Sequence, residues 1–228
     1  MSATDLTIRP ATAGDTDAAV PLIYSAGPQA FDWTFAGGAS ALPFLMRVFP
    51  TGRGFFGCQN HHVAVLDGRV VGTIAVYSAA EYRQMSRDTL LQVFRYRTPW
   101  QWPRVLQRCL ANQQWMPPPR RRMDYVANLG VAQDLRSRGI GAALLAFGED
   151  YARQRGKSVY ALDVADSNPR AEALYRRLGF QLSGTQHSPS PGVVPGARRL
   201  EKQLLPATGN SNPEISTDTT TAPTMETA

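Results

Sequence analysis

Two glycines and two arginines lie close together in the middle of the chain. Residues 136–141 have the sequence Arg-Ser-Arg-Gly-Ile-Gly. Glycine lets main-chain N–H groups approach a ligand closely, and arginine forms charge-assisted hydrogen bonds with phosphate oxygens. The segment therefore predicts an anion site, and a pyrophosphate is the ligand that fits it. A tight turn flanked by solvated arginines is the alternative that the pattern leaves open.

A strand and a helix are predicted on either side of these glycines. Residues 123–131 form a strand-like run, and residues 139–155 have the composition of a helix. The first N–H groups of a helix have no intrahelical partner and lie at the positive end of its dipole, so this order favours anion binding. The segment lacks the Lys and Ser or Thr of a Walker loop, and Leu144 occupies the place of the third glycine in the dinucleotide fingerprint.

A second strand and helix follow. Residues 158–164 predict a strand that pairs in parallel with the first through a right-handed crossover. The next helix has Asn168 at its N-cap, Pro169 at its first position and Gly179 beyond its end. These two units predict a parallel strand pair flanked by helices.

The N-terminal third predicts a strand, a helix and a hairpin. Residues 6–9 alternate as a short strand, and residues 11–24 form a helix. Residues 62–66 and 70–77 are β-rich and are joined through Asp-Gly, which is typical of a hairpin turn. The intervening residues 25–60 are rich in aromatics and predict either a mobile loop over a site or an apolar cover on the core, of which the cover is favoured.

An arginine-rich segment separates the hairpin from the glycine motif. Residues 82–122 hold nine arginines against one aspartate, a local charge of +8, whereas the whole chain carries +6. Residues 80–96 and the segment that begins with the capping box at 98–101 predict two amphipathic helices. Arginines interleaved with tryptophans are compatible with nucleic-acid binding, but a solvated helix face is favoured, since charge runs are usually surface.

The motifs together resemble the GNAT superfamily of N-acetyltransferases. The resemblance comprises Arg136-x-x-Gly139-x-Gly141, then Asn168, then residues 174–180 with the sequence Leu-Tyr-Arg-Arg-Leu-Gly-Phe, and it includes the N-terminal strand and the hairpin. It covers about residues 6–205. It implies an α/β fold with a mixed, mostly antiparallel twisted sheet, splayed between two parallel central strands and flanked by helices. The helical insert at about 80–116 is longer than usual for the family.

The resemblance also implies acetyl-CoA as cosubstrate and assigns residues to its binding. The fourth strand, at Leu129, Gly130 and Val131, pairs its main chain with the pantetheine arm. Asn168 contacts the arm, is a plain helix cap, or does both. The pyrophosphate is bound by backbone amides with one flanking arginine, and the residues are Arg136, Ser137, Arg138, Gly139, Ile140, Gly141 and Ala142.

Two catalytic residues are implied in the same way. Tyr175 matches the general acid that protonates the departing CoA thiolate, and its alternative is a core aromatic. Asp124 is a candidate general base near the start of the fourth strand, and its alternative is a solvated strand end. Glu81 and a water relay remain further candidates for the base.

Composition is compatible with one enzyme-sized domain. The chain has 228 residues, of which 43% are hydrophobic, and a pI near 9.7. Two cysteines are too few for a disulfide framework, and the three histidines lack metal-ligand spacing, so no metal is predicted. Residues 1–205 are predicted as the acetyltransferase domain and 206–228 as a disordered tail poor in apolar side chains.

The expected partners are acetyl-CoA and an amine, either a small molecule or a protein amine. No signal peptide or membrane span is recognisable, which predicts a cytoplasmic protein without a membrane partner, as a monomer or homodimer. The sequence does not identify the acceptor. A CoA-binding sensor without turnover, or a nucleic-acid binder using the insert, are the rival functions.

Overall fold

The computed structural model describes residues 6–36 and 40–204, so the predicted tail at 206–228 lies outside the described residues. The strands are β1 (Thr7–Pro10), β2 (His62–Leu66), β3 (Arg69–Ser78), β4 (Met123–Val131), β5 (Val159–Ala165), β6 (Gln181–Gln186) and β7 (Ala197–Gln203). The α-helices are α1 (Thr16–Ser25), α2 (Pro28–Phe31), α3 (Leu42–Val48), α4 (Ala79–Tyr96), α5 (Trp102–Trp115), α6 (Ile140–Gln154) and α7 (Pro169–Arg177).

The strands form one mixed sheet with the order β1-β2-β3-β4-β5-β7-β6. The central pair β4 and β5 is parallel, and the other neighbouring pairs are antiparallel. Pairing between β4 and β5 runs from Met123 to Val126, and the rest of β4 has a register with β3 but none with β5. The sheet therefore opens between its two parallel strands, which confirms the predicted fold class.

A bulge in β4 lies at the point where the sheet opens. Asn128 has a φ of 53°, in the left-handed region that residues with a Cβ rarely adopt. Its side-chain amide donates hydrogen bonds to Phe55 O at 3.2 Å and to His61 Nε2 at 3.0 Å, and its carbonyl accepts from the Thr73 hydroxyl at 2.9 Å. These three contacts stabilise the unusual conformation.

Helices cover both faces of the sheet. On one face, α6 and α7 bury a core that includes Leu144, Tyr160 and Phe180. On the other, α1, α3 and the helices of the insert bury a second core that includes Ile23 and Val93. None of the helices in residues 6–36 and 40–204 is long and apolar enough to cross a membrane.

The arginine-rich insert is a pair of helices, as predicted. Ser78 and Glu81 form a capping box at the start of α4, and α5 follows a 3₁₀ turn over Pro99–Gln101. Two of the insert's arginines pack on aromatic rings, since Arg97 lies 5.0 Å from the Phe44 ring and Arg108 lies 5.4 Å from the Trp33 ring. Two of the arginine side chains of the insert thus pack against aromatic residues of the rest of the chain.

The segment at 25–60 contains helices that its composition did not indicate. The short helices α2 and α3 are flanked by Gly and Pro, which weaken the periodic signal of a helix. Phe35 stacks on Phe44 at 5.1 Å between ring centroids, and both rings are buried. The described residues of the segment pack on the core, and Phe31 and Phe35 also line the cavity described below. Tertiary packing stabilises the helices of the segment.

Candidate active site

A cavity of about 740 Å³ passes through the opening between β4 and β5. Consecutive residues of both strands line it, from Tyr125 to Leu129 in β4 and from Leu162 to Ala165 in β5. Asn168 and Tyr175 of the α7 region line one part, and the insert helices α4 and α5 line another. The cavity therefore joins the predicted cofactor side of the sheet to the insert.

Two features make the turn before α6 suitable for an anion. Ser137 and Gly139 have φ values of 66° and 86°, which turn successive main-chain N–H groups in one direction. Gly139 is the N-cap of α6, and a Cβ built on it would meet no atom within 4 Å. The first N–H groups of α6 have no side-chain cap and lie at the positive end of the helix dipole.

The two arginines upstream of α6 are differently placed. Arg136 donates from Nε to the carbonyl of Val131 at 3.3 Å, which ties the turn to the end of β4. Arg138 is exposed. Neither residue lines the cavity through the sheet.

Arg170 is a further basic residue at this turn, and no role was assigned to it from the sequence. It lies in the first turn of α7, and its guanidinium donates a hydrogen bond to the Ser137 hydroxyl. The N-terminus of α7 and the turn before α6 are therefore adjacent. The signal in the sequence was the proline and N-cap at the start of α7, which predict a second helix N-terminus but not its neighbour.

The remaining residues of the predicted pyrophosphate turn belong to the first turn of α6. Ile140 is buried in the core and anchors the helix start, and Ala142 is half-buried. A Cβ on Gly141 would lie 3.7 Å from Leu174 and 3.8 Å from Val131, which are ordinary contacts. Packing within the protein therefore does not require a glycine at position 141.

The predicted pantetheine strand has one residue in the cavity lining, Leu129. Gly130 is buried, and a Cβ on it would lie 2.2 Å from the carbonyl oxygen of Leu22 in α1. Gly130 is thus required for close packing of α1 on β4. Val131 is half-buried and closes the strand.

Asn168 caps α7 and also lines the cavity. Its side-chain oxygen accepts a hydrogen bond from the Ala171 N–H at 3.1 Å, which confirms the N-cap. Because the residue also faces the cavity, both roles considered for it are geometrically compatible.

Tyr175 lies between the core and the cavity. Its ring packs at 6.1 Å from Phe180, and burial raises the pKa of its phenol to about 12. Within residues 6–36 and 40–204 no hydrogen bond is made by its hydroxyl, whereas the equally buried Tyr160 donates to Leu145 O at 3.2 Å. A protonated, unengaged hydroxyl beside the cavity is available to donate to a ligand.

The structure does not bring Asp124 to the cavity. Tyr125 lines the cavity and Asp124 does not. The Asp124 carboxylate lies instead 3.4 Å from Arg155 and 3.6 Å from Lys157. Burial raises the pKa of Asp124, and the two cations oppose this effect. Glu81 pairs with the same Arg155. Neither carboxylate has a geometric basis for acting as the general base in the cavity.

The carboxylate that does line the cavity is Asp163, which the sequence analysis did not single out. It accepts two hydrogen bonds from Arg199, at 2.9 and 2.8 Å, and one from the Tyr125 hydroxyl at 2.9 Å. The Asp163 side chain is 3% exposed. An acid inside an apolar strand was the available signal, but its arginine partner lies 36 residues away.

The chain is similar to acetyltransferases in sequence and in fold. The model of the acetyltransferase (GNAT) family matches residues 41–180. An uncharacterized N-acetyltransferase of Methanocaldococcus jannaschii is 37% identical over 85 residues, which are 37% of this chain and 34% of that protein. Streptothricin acetyltransferase of Streptomyces lavendulae is 37% identical over 59 residues, 26% of this chain and 31% of that protein.

A solved structure extends the likeness over most of the chain. An N-acetyltransferase from Staphylococcus aureus Mu50 superposes with a TM-score of 0.61 at 16% identity, covering 86% of this chain and 99% of that one. At this identity the likeness concerns the fold. The chain spans about a third of the length of the two curated relatives described above.

Proposed function

Because the chain belongs to the GNAT family of acetyltransferases, we propose that it transfers the acetyl group of acetyl-CoA to a primary amine by direct attack in a ternary complex. The observation that carries the proposal is the opening of the sheet between β4 and β5, with the uncapped start of α6 next to Val131 at the end of β4. The opening offers unpaired strand edge to an extended ligand, and the helix start offers N–H groups to its phosphates.

The described residues fit acetyl-CoA in three places. The turn over residues 136–142, with Arg170 beside it, would hold the pyrophosphate. The edge of β4 near Leu129 and the cap residue Asn168 would hold the pantetheine arm. When bound there, acetyl-CoA supplies a thioester whose carbonyl carbon is open to attack by an amine.

Tyr175 has the properties of the general acid. With a pKa of about 12 its phenol stays protonated throughout the neutral range. Because a thiol has a pKa of about 8.5, proton transfer to the sulfur depends on the position of the hydroxyl and not on its acidity. As the new C–N bond forms and the C–S bond breaks, Tyr175 Oη donates its proton to the departing sulfur. Water in the cavity then returns a proton to the phenolate.

The proton of the acceptor amine passes to water in this proposal. Asp163, the carboxylate that lines the cavity, is held by Arg199 and Tyr125 and is not free to accept it. A neutral amine is the attacking species, so the rate should rise with pH until the bound amine is deprotonated.

Direct attack is favoured over an acetylated enzyme. Cys109 lines the cavity, but burial raises the pKa of its thiol to about 11, which leaves little thiolate at neutral pH.

Two matched glycine variants test the proposed cofactor site. Gly139 and Gly156 lie just outside opposite ends of α6, both have positive φ, and a Cβ on either meets no atom within 4 Å. Alanine at either position costs about 1–2 kcal/mol of backbone strain. Gly139→Ala should weaken acetyl-CoA binding roughly tenfold or more in calorimetry, and Gly156→Ala should leave it unchanged.

Turnover is tested by thiol release from acetyl-CoA in the presence of a panel of primary amines. Equal affinity for acetyl-CoA in the two glycine variants would contradict the location of the site. Tight binding of acetyl-CoA without thiol release for any amine would instead identify a CoA-binding module without catalysis.

A further inference from the structure

The part of the cavity bounded by the insert has an apolar lining. The ring of Phe55 lies 5.8 Å from that of Tyr77 and 5.1 Å from that of Tyr82. Leu106 and Leu110 of α5 complete this wall. We call this part of the cavity the insert pocket. Its surface favours a ligand with an apolar or aromatic body, since burial of apolar area is the main source of affinity there.

Charged groups are scarce along the cavity. Within the described part of the chain, its lining includes two charged residues, Arg87 and Asp163. The two hydrogen bonds from Arg199 and the one from Tyr125 already satisfy Asp163. Arg87 is on the exposed face of α4, where its side chain is 72% exposed. Among the described residues, the cavity lining thus offers a bound cation no free carboxylate.

This distribution of charge discriminates between acceptor amines. The attacking amine loses its proton before reaction, but a second ammonium group on the same molecule would stay charged. Inside the insert pocket that group would lose its hydration without gaining an ion pair, which is costly. Arg87 adds a repulsive positive charge at the cavity lining.

We propose that the acceptor is a monoamine with an apolar or aromatic body, and that polycationic amines such as polyamines and aminoglycosides are rejected. This inference rests on the proposed acetyl transfer, since it concerns the acceptor of that reaction. The insert, which is longer than usual for the family, contributes Tyr82, Leu106 and Leu110 to the apolar wall, and Phe55 and Tyr77 complete it from outside the insert.

A matched pair of amines tests the selectivity directly. Hexylamine and 1,6-diaminohexane share the same six-carbon chain and differ at one end, where a hydrogen of the terminal methyl group is replaced by an ammonium group. We expect kcat/KM by thiol release to be roughly 10- to 100-fold higher for hexylamine, the range that corresponds to burying one unsatisfied polar group. 2-Phenylethylamine should be accepted at least as well as hexylamine.

A pair of charge variants locates the determinant. Leu110 and Leu91 are both exposed leucines of the insert, at 63% and 59%, and Leu110 alone of the two lines the cavity. Leu110→Glu introduces a carboxylate that can pair with the second ammonium, and should reduce the preference for hexylamine by roughly fivefold or more. Leu91→Glu makes the same change outside the cavity and should leave the preference unaltered.

Binding separates failure of this inference from failure of the proposed function. Both amines are titrated calorimetrically into the protein saturated with CoA. If 1,6-diaminohexane binds or reacts as well as hexylamine, the inference about the acceptor is wrong and acetyl transfer stands. If neither amine reacts but hexylamine binds selectively, acetyl transfer is wrong and the selectivity of the pocket stands. An equal change of preference in both glutamate variants would show that general surface charge, not the insert pocket, sets the selectivity.

Discussion

Replacing Tyr175 by phenylalanine removes one oxygen atom and leaves the ring in place. In the wild-type structure the ring packs against Phe180, and its hydroxyl is not hydrogen-bonded to any described residue. The substitution therefore removes no intramolecular hydrogen bond within residues 6–36 and 40–204. We expect the free energy of unfolding to change by about 0.5 kcal/mol or less.

The expected effect on catalysis is much larger. A positioned general acid contributes roughly 10² to 10⁴ in rate. This corresponds to about 3–5 kcal/mol of transition-state stabilisation, since each factor of ten is about 1.4 kcal/mol. Acetyl-CoA affinity should remain within a small factor, because the hydroxyl acts on the sulfur only as the C–S bond breaks.

Tyr160→Phe is the matched control. Tyr160 is also a buried tyrosine of the same core, but its hydroxyl donates to Leu145 O and does not line the cavity. This variant should lose about 1 kcal/mol of stability with its broken hydrogen bond and should keep its kcat. Tyr175→Phe is therefore expected to lose rate and keep its stability, and Tyr160→Phe is expected to lose stability and keep its rate.

The assay measures thiol release with an accepted amine from pH 6 to 10, with urea unfolding of each variant in parallel. Because the pKa of Tyr175 is about 12, wild-type kcat should show no alkaline decline from this group within that range. A Tyr175→Phe enzyme with wild-type kcat would refute the role of the hydroxyl. A large loss of stability in that variant would show instead that the hydroxyl has a structural partner.

Two further predictions concern stability. Gly130→Ala should lower the free energy of unfolding in urea by about 3 kcal/mol, because its Cβ would overlap the carbonyl of Leu22. Gly141→Ala has room for its Cβ and should be neutral or stabilising by up to about 1 kcal/mol. Equal effects of the two variants would contradict the close approach of α1 to β4. Burial lowers the pKa of His61 to about 4. Between pH 6.5 and 4 the unfolded chain therefore binds a proton on this imidazole that the folded chain does not bind. The free energy of unfolding should fall by about 3 kcal/mol as the pH is lowered through this window. The His61→Asn variant should lack this part of the pH dependence, and an unchanged slope would show that other groups cause it.

The sequence by itself determined the elements whose signals are local. The Asp-Gly turn predicted the hairpin of β2 and β3, and the cap at Asn168 predicted the start of α7. Glycines before α6 and the arginines beside them predicted an exposed helix start, and the resemblance to a family then predicted the opening of the sheet. Such signals depend on neighbours within a few residues, so they can be recognised from the sequence without knowledge of the fold.

The faces of β4 were decided by the tertiary structure. Asp124 and Tyr125 are adjacent in sequence, but the Asp124 carboxylate contacts Arg155 and Tyr125 lines the cavity. Which of them faces the cavity depends on the register with β3 and β5. A single-residue shift would exchange them, and the sequence of β4 alone does not fix that shift.

The polar contacts of the site were decided in the same way. Asp163 is neutralised by Arg199, Asn128 is held in a left-handed conformation by Phe55 and His61, and Arg170 meets Ser137. These pairs are 33 to 73 residues apart. Only chain folding brings them within hydrogen-bonding distance, because a hydrogen bond depends on position in space and carries no signature in the sequence near either partner.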